Sequence, residues 1–204
     1  MSTGSPLPRT PAGLVLPAPL WDELVAAYRA PGRFYHDATH LDEVIERFFE
    51  VPSWQQPREL FLALLFHDAG YVAGATDNEA RSAALARTAI ARFLPEATLA
   101  VDRVEQLIAL TARHGALAAA TLDLDAAQFV DCDLAILGSP PARFAAYEAG
   151  IAREYAALPR ELYREGRRRF LERLLAAPRI FFSPYFYDRL EAAARENLQR
   201  SLGR

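Results

Sequence analysis

The side chains of this chain that are best suited to chemistry are its histidines and the aspartates that lie in apolar stretches. They are His36, His40, His67 and His114, with Asp68 and Asp133. Imidazole nitrogens and carboxylate oxygens together are the ligands of divalent ions such as Mn, Fe, Co, Ni, Zn or Mg. Residues of these types predict a metal site if they converge from different elements on one point.

Spacing along the chain allows some of these residues to meet. His36 and His40 are four residues apart, and they share one face of a helix if both are helical. His67 and Asp68 are adjacent, so they lie about 100° apart on a regular helix. At a frayed helix end, however, both side chains can lean toward one ion. The two pairs are therefore candidates for one site.

A third segment carries Asp133, which we expect on the buried stripe of its helix, whereas Asp131 is expected to point elsewhere. A buried carboxylate is costly unless it is paired or bound to a metal. Each candidate also has an interpretation without a metal. His40 is then a core histidine, His67 and Asp68 form a helix terminus with a capping carboxylate, and Asp133 is the partner of an arginine.

The elements that position these residues are predicted to be helices, because apolar residues recur at helical spacing and no run alternates as a strand does. The capping-box pattern of residues 76–79 predicts the start of one helix, and Ser183 is predicted to cap the last one. Residues 1–17 are interrupted by proline and are predicted to form a flexible tail, followed by a single domain over 18–204. The predicted helices cover about 20–29, 39–50, 57–67, 77–94, 97–114, 125–137, 141–158, 162–176 and 184–202.

Composition excludes several classes of function. The 204 residues carry a formal net charge of −3, which disfavours general coating of nucleic acid. All basic residues are arginine, which excludes lysine nucleophiles. The single cysteine, Cys132, excludes redox catalysis by paired thiols and is expected to be a small buried residue. No apolar run approaches the length of a membrane span, and the composition predicts a cytoplasmic protein.

The order of these residues resembles the HD superfamily of metal-dependent phosphohydrolases, in which a His, a His-Asp pair and an Asp lie on successive helices. A bacterial branch of predicted HD-type phosphohydrolases is similar over about residues 33–198. The similar segments are RFYHDATH (33–40), FHDAGY (66–71), DNEARSA (77–83), DCDLAILG (131–138), YREGR (163–167) and ARENL (194–198). The resemblance implies an all-α, HD-like bundle of roughly eight to nine helices.

The resemblance also implies a ligand set and a reaction. Its implied ligands for one divalent metal ion are His40, His67, Asp68 and Asp133. Such an ion activates a water and polarises a phosphoryl group, so the expected reaction is hydrolysis of a phosphate ester or anhydride of a small metabolite, with nucleotides as first candidates. Related two-metal proteins carry a further histidine where this chain has Asn78, which favours one metal.

Other residues near the motifs are candidates for further roles. Glu79 is a candidate to orient or deprotonate the attacking water, and His36 or His114 to protonate the leaving oxygen. Glu79 could instead complete the capping box, and His114 could complement a helix C-terminus. The candidates for binding substrate are Arg33, Asn78, Arg81 and Arg113, although a solvated arginine is an alternative for each guanidinium.

Two competing functions remain open on the same scaffold. One is an oxygen-using di-iron enzyme, for which His36 and His114 would be spare ligands and against which Asn78 argues. The other is a non-catalytic module that binds a metabolite or nucleic acid through the arginine cluster of residues 164–169. Neighbouring glutamates favour a salt-bridged helix face for that cluster. The aromatic residues of 181–187 are expected to pack in the core. The oligomeric state is left open.

Overall fold

A computed structural model describes residues 6–203, and within that range the chain is all-helical, with nine α-helices, two short 3₁₀ turns and no strand. The prediction of an all-α chain with eight to nine helices is therefore confirmed. The helices are α1 (Ala18–Tyr28), α2 (Ala38–Glu50), α3 (Pro57–Phe66), α4 (Asn78–Phe93), α5 (Val101–Thr111), α6 (Leu124–Leu134), α7 (Pro141–Glu154), α8 (Arg160–Ala176) and α9 (Pro184–Ser201).

The first compact unit, Met1–Ala112, contains α1 to α5. Its centre is α3, which packs against α2, α4 and α5. Every residue of α3 from Glu59 to Phe66 is buried. A helix that is apolar on all sides must lie inside its unit. The His-Asp pair directly follows this internal helix.

The second compact unit, Arg113–Arg204, contains α6 to α9. The 3₁₀ turn Ala135–Gly138 continues α6, and this turn packs against α7 and α9. Gly138 lies so close to α9 that a Cβ there would stand 2.7 Å from the Cβ of Leu190. Phe129 and Val130 of α6, together with Leu198 of α9, are fully buried in this unit. The prediction of a single domain over residues 18–204 stays a prediction.

The N-terminal segment predicted as a flexible tail lies partly outside the described residues, since the structure describes it only from Pro6. Residues 6–17 contain no helix. Leu14 and Leu16 are nevertheless buried, and the indole of Trp21 donates a hydrogen bond to the carbonyl of Pro6 at 2.8 Å. Apolar side chains thus hold this segment against the first unit.

Helix boundaries differ from the predicted ones where tertiary contacts set them. The capping box predicted at residues 76–79 is wrong: Asp77 is the N-cap of α4, and its side chain makes no capping hydrogen bond. The predicted fifth helix, 97–114, is shortened to Val101–Thr111. Ser183 does cap α9 as predicted, because its hydroxyl accepts from the Phe186 amide. Among the described helices, none is long and apolar enough to cross a membrane.

Candidate metal centre

Three of the four predicted metal ligands meet within the first unit. The Nε2 atoms of His40 and His67 lie 3.1 Å apart. The Oδ2 atom of Asp68 lies 3.1 Å from Nε2 of His67 and 3.6 Å from Nε2 of His40. Two atoms that each lie about 2.1 Å from one ion stand roughly 3.0–3.4 Å apart at right or tetrahedral angles. The three ligand atoms therefore have a spacing that can hold a divalent metal ion.

The orientation of His67 is set by the backbone of the helix that carries it. His67 is the C-cap of α3, as predicted for the end of that helix. Its Nδ1 lies 2.7 Å from the carbonyl oxygen of Leu64. Because a carbonyl only accepts, Nδ1 must carry a proton, so Nε2 is the nitrogen that the neutral ring would offer to a metal ion. This nitrogen lies 3.1 Å from the Asp68 carboxylate, and either a proton or a metal ion on Nε2 makes that contact favourable.

His40 is held in the first turn of α2. Asp37 is the N-cap of this helix, and its Oδ1 accepts from the amides of Thr39 at 2.8 Å and His40 at 3.2 Å. The ring of His40 is buried, with 1% of the residue exposed. His36 precedes the helix, so the shared helical face predicted for His36 and His40 does not form.

His36 nevertheless lies beside the site. Its ring centroid is 6.0 Å from that of His40, and 4.0 Å from that of Tyr71, on which it stacks at 32°. His36 is half-buried. A stacked, partly accessible imidazole next to a carboxylate has the chemistry of a proton donor or acceptor.

Histidines surround the Asp68 carboxylate and set its ionisation. Burial by itself raises the pKa of this group, but the neighbouring imidazoles of His67, His36 and His40 hold the pKa of Asp68 well below its usual range. The carboxylate is therefore ionised at neutral pH, as a metal ligand must be. Burial also raises the pKa of Tyr28 to about 12, which keeps the neighbouring hydroxyl protonated.

The loop after the His-Asp pair is fixed by the start of α4. The side-chain amide of Asn78 pairs with both backbone groups of Val72, at 2.9 Å and 3.0 Å. The hydroxyl of Ser82 accepts from the Gly70 amide at 2.9 Å. A Cβ on Gly70 would stand 2.8 Å from the Ser82 nitrogen, so only glycine permits this approach. Glu79 lies half-buried on the first turn of α4.

Asn78 therefore has a positioning role that the sequence did not reveal. It was predicted to bind substrate, but its amide holds the loop backbone and the residue is 9% exposed. The failure of the capping box has the same origin, because contacts between the loop and α4 decide where the helix begins. Glu79 consequently has no part in a capping box.

The fourth predicted ligand, Asp133, belongs to the second unit and lies on α6, as expected. Its Oδ2 lies 2.7 Å from Nε2 of His114. Both side chains are 15% exposed. His114 follows the end of α5 by three residues. The two residues form a carboxylate–imidazole pair, which can orient the carboxylate or move a proton.

The predicted arginine ligands of phosphate differ in their surroundings. Arg81 and Arg113 are exposed. The Nη1 atom of Arg33 donates to the carbonyls of His36 at 2.9 Å and Asp68 at 2.8 Å. Its Nη2 atom donates to the carbonyls of Ala69 at 3.0 Å and Tyr71 at 3.3 Å. This guanidinium is thus bound to the protein backbone.

Asp131 is a buried carboxylate whose role was not predicted from the sequence. It was expected to point away from the buried stripe, yet it is 0% exposed while Asp133 is partly exposed. Its oxygens accept from the amides of Phe182 and Ser183 and from the Ser183 hydroxyl. Asp131 therefore ties α6 to the N-terminus of α9. The only signal in the sequence was a second carboxylate in the same apolar stretch.

The arginine cluster of α8 forms the salt-bridged face that its neighbouring glutamates predicted. Arg168 pairs with Glu165 at 3.0 Å and with Glu172 at 2.7 Å, and Arg169 also pairs with Glu165. Arg167 pairs with Glu148 of α7. Of the aromatic residues expected in the core, Phe181 and Phe186 are buried, at 0% and 1% exposed, but Phe182 and Tyr185 are half-buried and Tyr187 is exposed. Cys132 is buried as predicted.

No protein-family model matches the chain, and comparisons with curated proteins and with solved structures found no significant match. The HD resemblance stays a prediction from the motifs.

Proposed function

We propose that this protein is a metal-dependent phosphohydrolase that uses one divalent ion to cleave a phosphate ester or anhydride of a small metabolite. The observation that carries the proposal is the convergence of His40, His67 and Asp68, with ligand atoms 3.1–3.6 Å apart. The resemblance adds Asp133 as a fourth ligand. A bound ion would lower the pKa of a water and polarise a phosphoryl oxygen.

In this proposal the protein residues supply proton transfer and ligand geometry. His67 offers Nε2 because its Nδ1 donates to the Leu64 carbonyl. His36 gives a proton to the leaving oxygen, since it is half-buried and lies beside Asp68. Glu79, half-buried at the start of α4, accepts a proton from the attacking water.

A single ion is proposed rather than two. Asn78 stands where related two-metal proteins have a histidine, and its amide is engaged by both backbone groups of Val72. A carboxamide used in this way is a poor ligand for a second ion. Two irons per chain together with oxygen consumption would overturn this part of the proposal and favour the di-iron alternative.

The test compares metal binding and phosphate release in matched variants. Protein purified without chelator is analysed for metal, and the metal-free protein is titrated with Mn²⁺ and Co²⁺. Release of phosphate is measured on a panel of phosphate monoesters and nucleotides. Asp68→Asn removes one ligand oxygen at nearly constant shape, and Asp22→Asn changes an exposed aspartate of α1 as the control.

We expect Asp68→Asn to lose metal affinity by more than about 100-fold, since even residues that only support a metal ligand contribute 10–100-fold. Metal-stimulated phosphate release should be abolished as well, while Asp22→Asn behaves like the wild type. Asp133→Asn tests the fourth ligand in the same titration. Failure of the wild type to bind a divalent ion, or to release phosphate from any compound of the panel when loaded, would refute the proposal.

A further inference from the structure

Arg33 makes an unusual set of contacts with the backbone around the His-Asp pair. Its guanidinium donates to four carbonyls: those of His36, Asp68, Ala69 and Tyr71, at 2.8–3.3 Å. Three of these carbonyls, those of Asp68, Ala69 and Tyr71, are separated from Arg33 by 35 to 38 positions in the sequence. One side chain therefore joins the segment before α2 to the turn after α3.

These contacts use all four terminal N–H groups of the guanidinium. An arginine has five N–H donors in a planar fork, and the remaining one, on Nε, is buried without a hydrogen-bond partner in residues 6–203. A phosphate could approach the fork only by displacing carbonyls of the backbone. The contacts thus argue against the substrate-binding role that the sequence predicted for Arg33.

Aromatic rings hold the guanidinium in place. Its central carbon lies 5.2 Å from the ring centroid of Tyr28 and 5.6 Å from that of Tyr71. Contacts of a cation with ring faces at this distance are attractive. Tyr71 also stacks on His36, so the arginine, the tyrosine and the candidate proton donor form one packed group.

The backbone of Asp68 is held from both sides as a result. Its amide donates to the hydroxyl of Tyr28 at 3.3 Å, and this hydroxyl donates to the Leu65 carbonyl at 3.1 Å. Its carbonyl accepts from Arg33 at 2.8 Å. A cation just beyond the C-terminus of α3 is also favoured by the carbonyl dipoles there. The position of the Asp68 carboxylate therefore depends on Arg33.

We propose that Arg33 is a positioning residue that sets the geometry of the metal ligand Asp68 and of His36 by fixing their backbone, and that it does not bind the phosphate of the substrate. This inference rests on the proposed function, because it assigns Arg33 to the same metal centre.

The experiment measures Co²⁺ binding by metal-free wild-type protein and by Arg33→Lys. Lysine keeps the charge but replaces the planar fork by one ammonium group, which cannot bridge two pairs of carbonyls. The control is Arg47→Lys on α2, where a partly exposed arginine pairs with Glu50 three residues further along the chain. Three quantities are recorded: the Co²⁺ affinity, the visible spectrum of bound Co²⁺, and the affinity of the Co²⁺-saturated protein for inorganic phosphate.

We expect Arg33→Lys to weaken Co²⁺ binding about 10–100-fold, as other supports of metal ligands do, and to change the Co²⁺ spectrum. The phosphate affinity at saturating Co²⁺ should stay within about twofold of the wild type, because phosphate could reach the Arg33 guanidinium only by displacing backbone carbonyls. Arg47→Lys should match the wild type in all three quantities. Circular dichroism and thermal unfolding verify that each variant is folded.

Two results would overturn the inference. One is that Arg33→Lys binds Co²⁺ with the same affinity and the same spectrum as the wild type. If this variant also loses affinity for phosphate, Arg33 is a phosphate ligand. The other is failure of both Arg33→Lys and a second variant, Arg33→Gln, to fold, which would assign Arg33 to the fold as a whole. Absence of Co²⁺ binding by the wild type is a separate outcome, which refutes the proposed function itself.

Discussion

Replacing Asp131 by asparagine should remove a dependence of protein stability on pH between about 4 and 6. The Asp131 carboxylate is 0% exposed. It accepts from the Phe182 amide at 2.8 Å, from the Ser183 amide at 2.7 Å and from the Ser183 hydroxyl at 2.6 Å. Asparagine keeps one acceptor oxygen and the shape of the side chain but does not titrate.

The size of the effect follows from the ionisation of Asp131. Burial raises its pKa from 3.8 to about 6, against the opposing effect of the hydrogen bonds from Ser183 and Phe182. The difference corresponds to about 3 kcal/mol. Because the folded protein holds the proton more tightly than the unfolded chain, this stabilisation is complete below about pH 4 and is lost as the pH rises through about 6.

The assay is urea unfolding of the wild type and of Asp131→Asn at pH values from about 3.5 to 7.5. We expect the free energy of unfolding of the wild type, minus that of the variant, to fall by about 3 kcal/mol across this range. Taking the difference cancels the titration of the histidines and other carboxylates. Asp22→Asn, at an exposed aspartate, serves as the control and should show no comparable change.

Equal pH dependence of the wild type and Asp131→Asn would refute this reasoning. In a difference of opposite sign, the wild type would gain stability relative to the variant as the pH rises. That result would show that the donors to Asp131 and the N-terminus of α9 lower its pKa by more than burial raises it. In that case the carboxylate is favoured in its charged form.

The remaining predictions concern glycines and use thermal and urea unfolding. Gly70→Ala and Gly138→Ala should each destabilise the protein by about 1–3 kcal/mol, because the added methyl group would stand 2.8 Å from the Ser82 nitrogen in the first and 2.7 Å from the Leu190 Cβ in the second. Gly70→Ala should also weaken binding of Co²⁺, whereas Gly138→Ala should leave the His-Asp turn unchanged. Gly166 lies inside α8 with no atom near an added Cβ, so Gly166→Ala should stabilise by about 0.5–1 kcal/mol. A neutral or stabilising Gly70→Ala would show that the approach of α4 to the turn is not tight.

The sequence predicted the ligand group of the first unit by residue type and order. His67 follows a short, wholly apolar segment, which indicates an internal helix with a polar pair at its end. His40 lies on an amphipathic helix that was predicted from its periodicity, whereas its N-cap, Asp37, was identified only in the structure. Residue types and spacing made these residues candidates for a metal site, and the resemblance to the HD superfamily implied that His40, His67 and Asp68 are ligands.

The roles of Arg33 and Asn78 were not predictable in the same way. Both were candidates for substrate binding because their side chains suit phosphate. Arg33 instead contacts carbonyls 35–38 residues away, and Asn78 holds the backbone of Val72. Which partner a polar side chain takes depends on how distant segments pack.

The amino-acid sequence by itself determined the helices and the apolar α3, since these depend on periodicity, on proline and glycine punctuation and on local caps, and it supplied the residue types of the candidate metal site. Only the tertiary structure decided which of Asp131 and Asp133 is buried, because these two aspartates of α6 are two residues apart on opposite sides of the helix. The packing of α9 against α6 places Asp131 at the amides of Phe182 and Ser183. Asp133 pairs with His114, and no local pattern distinguishes the two carboxylates.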